Sequence, residues 1–311
     1  MLRAIVLGAG AGGGFPQWNS AGPGCLRARA GDPAAQPRSQ ASLAVSADGE
    51  RWLVVNAAPD LRAQIAATPT LHPRPGTLRN SPISAVLLTG AEVDAVAGLL
   101  HLRERQSFRL YAAAPALAVL DANPIFRALN PDFVTREAMP LGRPFAPRDG
   151  TGEPLGLTIE AHAVPGKVPL FAEGGAEQDD APAVSEEGEA LGLVISAGGE
   201  ALHYVPGCAA MTPALAGRLR GAACVLFDGT LWTDDEMIRA GAGPKTARRM
   251  GHMPVTGPGG TLEAFATLGV RRRILTHLNN TNPVLLDDSP ERAHLHAQGW
   301  EVAWDGMEIA L

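Results

Sequence analysis

The chain has 311 residues, 46% of them hydrophobic and 19% charged, enough apolar content for a sizeable core in one large domain or two small ones. Its formal net charge of −6 is uneven, because Glu173 to Ala190 hold seven acids and neither Lys nor Arg. The rest is close to neutral, which excludes the basic surface that nucleic acids need. Three widely spaced cysteines, Cys25, Cys208 and Cys224, exclude a disulfide framework and suit a reducing cytosol, and no apolar run is long enough to span a bilayer.

Leu2 to Leu7 reads as a strand. Ala9-Gly10-Ala11 after it mimics a signal cleavage site, but Gly8 and Gly10 interrupt the apolar stretch and Arg3 is its one charge; the expectation is a mature, cytoplasmic protein. Gly8, Gly10 and Gly13 spell G-x-G-x-x-G, yet Pro16 follows where a dinucleotide site needs a helix to open. The glycines are read instead as places where backbone passes close to a ligand or a strand. Residues 8–40 are expected to be rich in loops, with no periodicity between Ser20 and Gln40.

Ser42 to Ser46 and Arg51 to Asn56 flank Asp48-Gly49, a hairpin signal, and Asp60 is a candidate cap for a helix over Leu61 to Ala66. Ile83 to Leu88 is a nearly continuous apolar run, as in a strand buried on both faces. It ends at Thr89-Gly90, and Val93, Val96, Leu99 and Leu100 then follow at helical spacing. A strand at Phe108 to Ala112, a helix from Pro115 to Leu129 broken at Pro124, and a strand at Leu157 to Val164 come next. The acidic segment 173–190 is predicted to be a solvated, mobile loop.

Leu191 to Ser196 and Ala201 to Val205 read as a hairpin across Gly198-Gly199. Helices are expected at Met211 to Leu219 with Thr212 as cap, Thr233 to Ala240, Thr261 to Leu268 and Ser289 to Gln298. Buried strands are expected at Ala223 to Phe227 and Arg273 to Thr276, and a final hairpin joins Trp300–Trp304 to Met307–Ala310 across Asp305-Gly306. Two halves, each with meander strands, a helix and a core strand ending in a polar residue, fit an α/β fold of αββα type: a single domain over residues 1–311, two sheets face to face with helices outside.

Polar groups at the carboxyl ends of such strands project into the crevice where ligands bind. Asp94 follows one core strand, Asp228 ends a second, His277 ends a third, and His252 lies on a loop beside Gly251. Two His and two Asp at element ends read as a metal site. The two carboxylates, brought close without a cation, are expected to push one carboxyl group up.

The layout strand-Thr89-x-x-x-x-Asp94-x-x-x-Gly98-Leu99 resembles the metallo-β-lactamase signature T-H-x-H-x-D-H-x-x-G-L, with Gly90, Glu92 and Ala95 in its histidine slots. AGGGFPQWN (Ala11 to Asn19), NAAPDLR (Asn56 to Arg62), PGKVPL (Pro165 to Leu170), YVPGC (Tyr204 to Cys208), FDGTLW (Phe227 to Trp232), MGH (Met250 to His252), HLNNTNP (His277 to Pro283) and DDSPER (Asp287 to Arg292) resemble the pyrroloquinoline quinone (PQQ) biosynthesis protein B family over nearly the whole chain. The resemblance implies a metallo-β-lactamase-like four-layer sandwich in the cytoplasm. It also implies a metal-dependent hydroxylase acting on the tyrosine ring of a crosslinked Glu-Tyr precursor, a small peptide-derived partner.

On this reading iron(II) is the expected metal, held by Asp94, Asp228, His252 and His277, and Gln17, Trp18, Asn279, Asn280, Thr281 and Asn282 face the substrate. Two His and a carboxylate with open positions suit iron(II) and dioxygen, whereas a zinc hydrolase needs more histidines. The sequence departs from the family in two places. Ser20 and Gly22 stand where relatives carry cysteines, so Cys25 alone cannot close a structural zinc site, and that zinc is expected to be absent. Ala95 replaces a histidine. A non-catalytic homologue that binds or carries PQQ or a precursor is the alternative, and a homodimer is left open beside the monomer.

Overall fold

A computed structural model describes residues 1–167 and 188–311. The alternating apolar segments form β1 (Arg3–Gly8), β2 (Ser42–Ser46), β3 (Trp52–Val55), β4 (Ile83–Leu87), β5 (Phe108–Ala112) and β6 (Val134–Ala138). They continue as β7 (Pro144–Phe145), β8 (Thr158–Ala163), β9 (Leu191–Ala197), β10 (Glu200–Val205), β11 (Cys224–Asp228), β12 (Arg272–Thr276), β13 (Trp300–Val302) and β14 (Glu308–Ala310). Two seven-stranded sheets result, ordered β14-β1-β2-β3-β4-β5-β6 and β13-β12-β11-β10-β9-β8-β7.

The period of two in each strand makes three apolar layers. Ala85 and Leu87 of β4 meet Leu226 of β11 and Ile274 of β12 between the sheets. Val86 faces outward onto Leu61, Val96 and Leu99, and Val225 and Phe227 face outward onto Leu215, Phe265 and Leu295. The helices that supply these outer layers are α2 (Leu61–Ala67), α3 (Val93–Val96), α5 (Pro213–Leu219), α7 (Thr261–Phe265) and α8 (Pro290–Ala297), with α1 (Pro23–Arg29), α4 (Ala114–Ala122) and α6 (Glu236–Arg239) completing the set. The layering is the four-layer αββα sandwich.

Each sheet is antiparallel on one side and parallel on the other. β3, β4, β5 and β6 run parallel, as do β10, β11, β12 and β13. Parallel strands deliver their carboxyl ends to one edge, and the residues after β4, β10, β11 and β12 meet there.

Several local expectations change. The stretch read as loop holds α1, where Pro23 occupies the first turn and Cys25 and Ala28 are buried; a seven-residue helix is too short to show a period. Asp60 does not cap α2; its carboxylate instead accepts the backbone and side-chain N–H of Gln40 at 2.9 and 3.0 Å. The final hairpin does not form. β13 joins β12 in parallel, and β14 crosses to the other sheet and pairs with β1. Asp305, read as a turn residue, accepts the N–H groups of Ala9 and Ser39 and so ties the crossover to the glycine-rich segment. The helix expected over Thr233 to Ala240 is the single turn α6.

Gly8 shows why the first loop needs glycine. A Cβ there would lie 2.2 Å from the Gln40 carbonyl oxygen. Of the acidic loop expected over 173–190, residues 173–187 lie outside the described residues. No helix among the described residues is long and apolar enough to cross a membrane.

His162 of β8 and His203 of β10 are buried on the outer face of the second sheet, and both ring nitrogens of His162 lack a hydrogen-bond partner. Burial, and then the nearby Arg218 charge, push His162 down to about 4. A base depressed on folding contributes stability above its unfolded pKa that is lost as pH falls through the folded value. Acidification from pH 6.5 toward 4 should therefore cost about 3 kcal/mol through His162. Urea unfolding at pH 7 and pH 4 should show His162→Leu losing less stability than the parent; equal losses would mean that the ring is not buried neutral.

Candidate metal centre

The same alternation that sends Leu226 between the sheets sends Asp228 inward at the last position of β11. Its side chain has no solvent exposure, and four protein donors surround the carboxylate. Oδ2 accepts Cys208 N–H at 2.9 Å and faces His252 Nδ1 at 2.7 Å. Oδ1 accepts Thr230 N–H at 3.0 Å and the Thr230 hydroxyl at 2.6 Å. A buried carboxylate with both oxygens satisfied is stable where an unpaired one is not.

His277 follows β12 with φ at 58°, a left-handed conformation that costs about 1 kcal/mol or more for a residue other than glycine. Leu278 holds it there by pairing with both Ala9 and Ala11 of the glycine-rich segment. The ring lies 5.3 Å from that of His252, tilted by 25°. Its Nδ1 faces the Thr230 hydroxyl at 2.9 Å and its Nε2 faces Asp94 Oδ2 at 3.1 Å.

Asp94 sits in α3, the turn that β4 feeds, and Thr89 at the strand end is locked by Asn56 through three hydrogen bonds of 2.9 to 3.1 Å. Thus Asp94, Asp228, His252 and His277 stand together. One ligand atom from each of Asp228, His252 and His277 lies within 4.8 Å of the others.

Proton positions follow from this arrangement. The Thr230 hydroxyl gives its single proton to Asp228, and His252 Nδ1–H donates to the other oxygen. Thr230 Oγ1 then accepts from His277 Nδ1–H, so His277 Nε2 turns a lone pair toward the Asp94 carboxylate. Two acceptors face each other, and only a proton or a cation between them makes the contact favourable. Without a metal a proton serves: burial alone would lower His277, but the Asp94 hydrogen bond and the charges of Asp94 and Asp228 raise it.

Both carboxyl groups lie below the usual range. Burial pushes Asp228 up, but the His252 charge and hydrogen bond more than reverse it, and His277 does the same for Asp94. The expected mutual repulsion of the two aspartates is therefore overturned by the imidazoles. Such a pocket fits a cation: Asp94, His277 and His252 border a cleft of about 690 Å3, while Asp228 lies beneath His252 and is not exposed to it.

The residues expected to face substrate are divided. Asn279 lines the same cleft. Gln17, Asn280, Thr281 and Asn282 line a second depression of about 760 Å3, where Asn280 donates to Gln17 and Thr281 donates to the buried carboxyl of Glu236. Asn282 is 2% exposed; it donates to the Gly229 carbonyl and accepts Val284 N–H, bracing the chain after β12. Trp18 is 85% exposed and lines neither. Near that depression the Ser20 hydroxyl accepts Gly22 N–H and buried Cys25 donates to Asn280, so the zinc-knuckle positions offer one thiol, which does not fit a closed zinc site. Ala95 borders the cleft and supplies no donor atom.

The model of the beta-lactamase superfamily domain matches residues 51–278. Two facing sheets with acid and imidazole groups gathered at the strand ends make this a metallo-β-lactamase-fold protein. The coenzyme PQQ synthesis protein B of Gluconacetobacter diazotrophicus is 61% identical over 309 residues, 99% of each chain. That of Xanthomonas oryzae is 54% identical over 310 residues, all of each chain. The crystal structure of Zn2+-bound PqqB from Methylobacterium extorquens superposes with a TM-score of 0.94 at 48% identity, covering 99% of this chain and 100% of the other. A diphosphatase of the PhnP family, 17% identical with a TM-score of 0.68 and full coverage of this chain, shares the fold. The chain belongs to the coenzyme PQQ synthesis protein B family.

Thr230, absent from the sequence-based set, holds the site together; its one signal in the sequence is its place in the FDGTLW segment, two residues after Asp228. Removing its hydroxyl in Thr230→Val leaves His277 Nδ1 without this partner and Asp228 Oδ1 with only the backbone N–H of residue 230. Metal affinity should fall by about ten-fold to a hundred-fold, and Thr230→Ser should restore most of it. Anaerobic iron(II) titration of the three proteins checks this, and equal affinity for Val and Ser would rule out the hydroxyl's role.

Proposed function

We propose that this chain is an iron-dependent oxygenase of PQQ biosynthesis, which hydroxylates the tyrosine ring of a crosslinked Glu-Tyr precursor. The observation that carries the reading is the Asp94 carboxylate facing His277 Nε2 at the cleft wall, a pair of acceptors that a bound cation would bridge in place of a proton, in a family of PQQ synthesis proteins. Asp94, His277 and His252 would hold the ion, and Asp228 would hold His252 from beneath. Bound iron(II) with open positions supplies dioxygen activation.

The chain's own residues do the rest. Asp228 fixes the His252 ring, so that Nδ1 points into the protein and Nε2 is left for the cleft. Thr230 does the same for His277. Thr89, fixed by Asn56, closes the wall behind Asp94. The apolar part of the wall, Ala11, Ala41, Val93 and Leu191, suits an aromatic ring and limits water around it.

Ala95 favours a second reading, a protein that binds PQQ or a precursor without turnover, since a donor position of the superfamily pattern is vacant. The two are separated by metal and turnover together. Purified without oxygen, the protein should take up iron(II) and, given precursor and an added two-electron reductant such as ascorbate, consume one dioxygen per hydroxyl group formed, the second oxygen atom leaving as water. Restoring a donor with Ala95→His should tighten iron by about ten-fold, or about 1.4 kcal/mol. No iron uptake by either protein, with the precursor still bound, would leave the carrier reading in place.

A further inference from the structure

The chain contains 24 arginines and only two lysines, Lys167 and Lys245. Both line the cleft that Asp94, His252 and His277 border. Elsewhere every permanently cationic side chain is a guanidinium; at the candidate centre the ammonium form is used twice. The difference is chemical. An ammonium is a compact charge with three donors on a flexible stem, able to meet a carboxylate from several directions, whereas guanidinium needs a planar partner and more room.

Their placement is built by the local chain. Lys167 enters from the segment after β8, and its stem lies across Gly251, the residue before His252. A Cβ at Gly251 would come within 3.1 Å of the Lys167 Cγ and 3.4 Å of its Cδ, and Gly251 holds φ at +85°, so this position needs glycine on both counts. Lys245 comes from the segment between α6 and Met250, on the loop that leads to His252. Both side chains are half-buried, where an ammonium charge is screened less than on open surface. The cleft also carries the carboxylates of Glu92, Asp94 and Glu189, the last two reaching it from different sheets' connections, so the lysines act within a mixed field.

We propose that Lys167 and Lys245 are the specificity residues of this site, each receiving a carboxylate of an aromatic substrate that carries at least two free carboxylates. This rests on the oxygenase reading for the identity of the substrate, but not for the binding itself. The two ammonium groups fix the acidic ends, and the apolar wall receives the ring, which orients the ring toward the side of the cleft where Asp94 and His277 stand. A substrate held at two ends loses its freedom to turn over before chemistry begins.

The test uses full-length protein loaded with iron(II) and kept free of oxygen, titrated calorimetrically with the crosslinked Glu-Tyr diamino acid and with its fully esterified form. Lys167→Met and Lys245→Met should each weaken the free acid by about ten-fold or more, the range for a charge-assisted hydrogen bond. Lys245→Arg should recover part of the loss. The ester should bind the parent weakly and be indifferent to both Met substitutions, and circular dichroism should show all variants folded as the parent is. Unchanged affinity for the acid in both Met variants overturns the proposal. So does an equal loss for acid and ester, or failure of the parent to bind the acid. Admitting oxygen together with a two-electron reductant such as ascorbate separates this from the reading above. Lysine-dependent binding without hydroxylated product removes the oxygenase and keeps the carboxylate site. Product formation by parent and both Met variants at unchanged KM removes the carboxylate site and keeps the oxygenase.

Discussion

The site depends on one buried charge. Asp228 sits where no water reaches it, and a carboxylate so placed must be met by donors on every side or it will protonate or unfold its surroundings. The chain meets it with the backbone after β10, through Cys208, with Thr230 from its own loop, and with the ring of His252. Two connections, the one leaving β10 and, at two separate points, the one leaving β11, are thereby fixed to a single carboxylate. The cleft geometry is a by-product of satisfying that carboxylate. Thr230 passes the constraint on to His277, and His277 passes it on to Asp94 in the other sheet's turn. The two sheets are joined by apolar packing along their length, but at their mouth they are joined by this relay of polar contacts.

Much of the fold is legible in the sequence because burial on both faces forces a recognisable composition. β4 and β11 appear as short apolar runs, and their ends are marked by the first polar residue that can escape the core. For the same reason Asp94, Asp228 and His277 are conspicuous: a polar group directly after a buried strand has few places to go other than the crevice. What was hidden depended on distant partners. Asp305-Gly306 carries the local chemistry of a hairpin, yet β13 and β14 part company, because each finds a longer and better-buried neighbour in a different sheet. Thr230 looks ordinary until His252 and His277 from farther along the chain converge on its hydroxyl, and Asn282 looks like a ligand-facing amide until its carbonyl partner on Gly229 is seen.

The departures from the superfamily pattern acquire a physical meaning in this setting. Gly90 and Ala95 remove imidazoles from the side of the cleft that β4 builds, whereas the side built by β11 and β12 keeps both of its rings and the carboxylate under one of them. The centre is therefore lopsided. Donors are concentrated on the second sheet, with Asp94 as the main contribution from the first. A lopsided donor set leaves coordination positions open on one flank, which a structural metal does not tolerate and a reactive one requires.

The pairing of β14 with β1 brings together strands that are far apart in the sequence. Arg3 stands opposite Ala310, and Leu2 and Leu311 exchange backbone hydrogen bonds at 3.0 Å. In the order of synthesis β1 comes well before β14, the strand that covers its outer edge. Until β14 is available that edge carries unpaired N–H and C=O groups, the kind of surface that recruits strands from other molecules. The second sheet, in contrast, can close once residue 302 is available. A nascent chain of this protein thus carries its hazard at β1, and the arrival of β14 is the act that seals it.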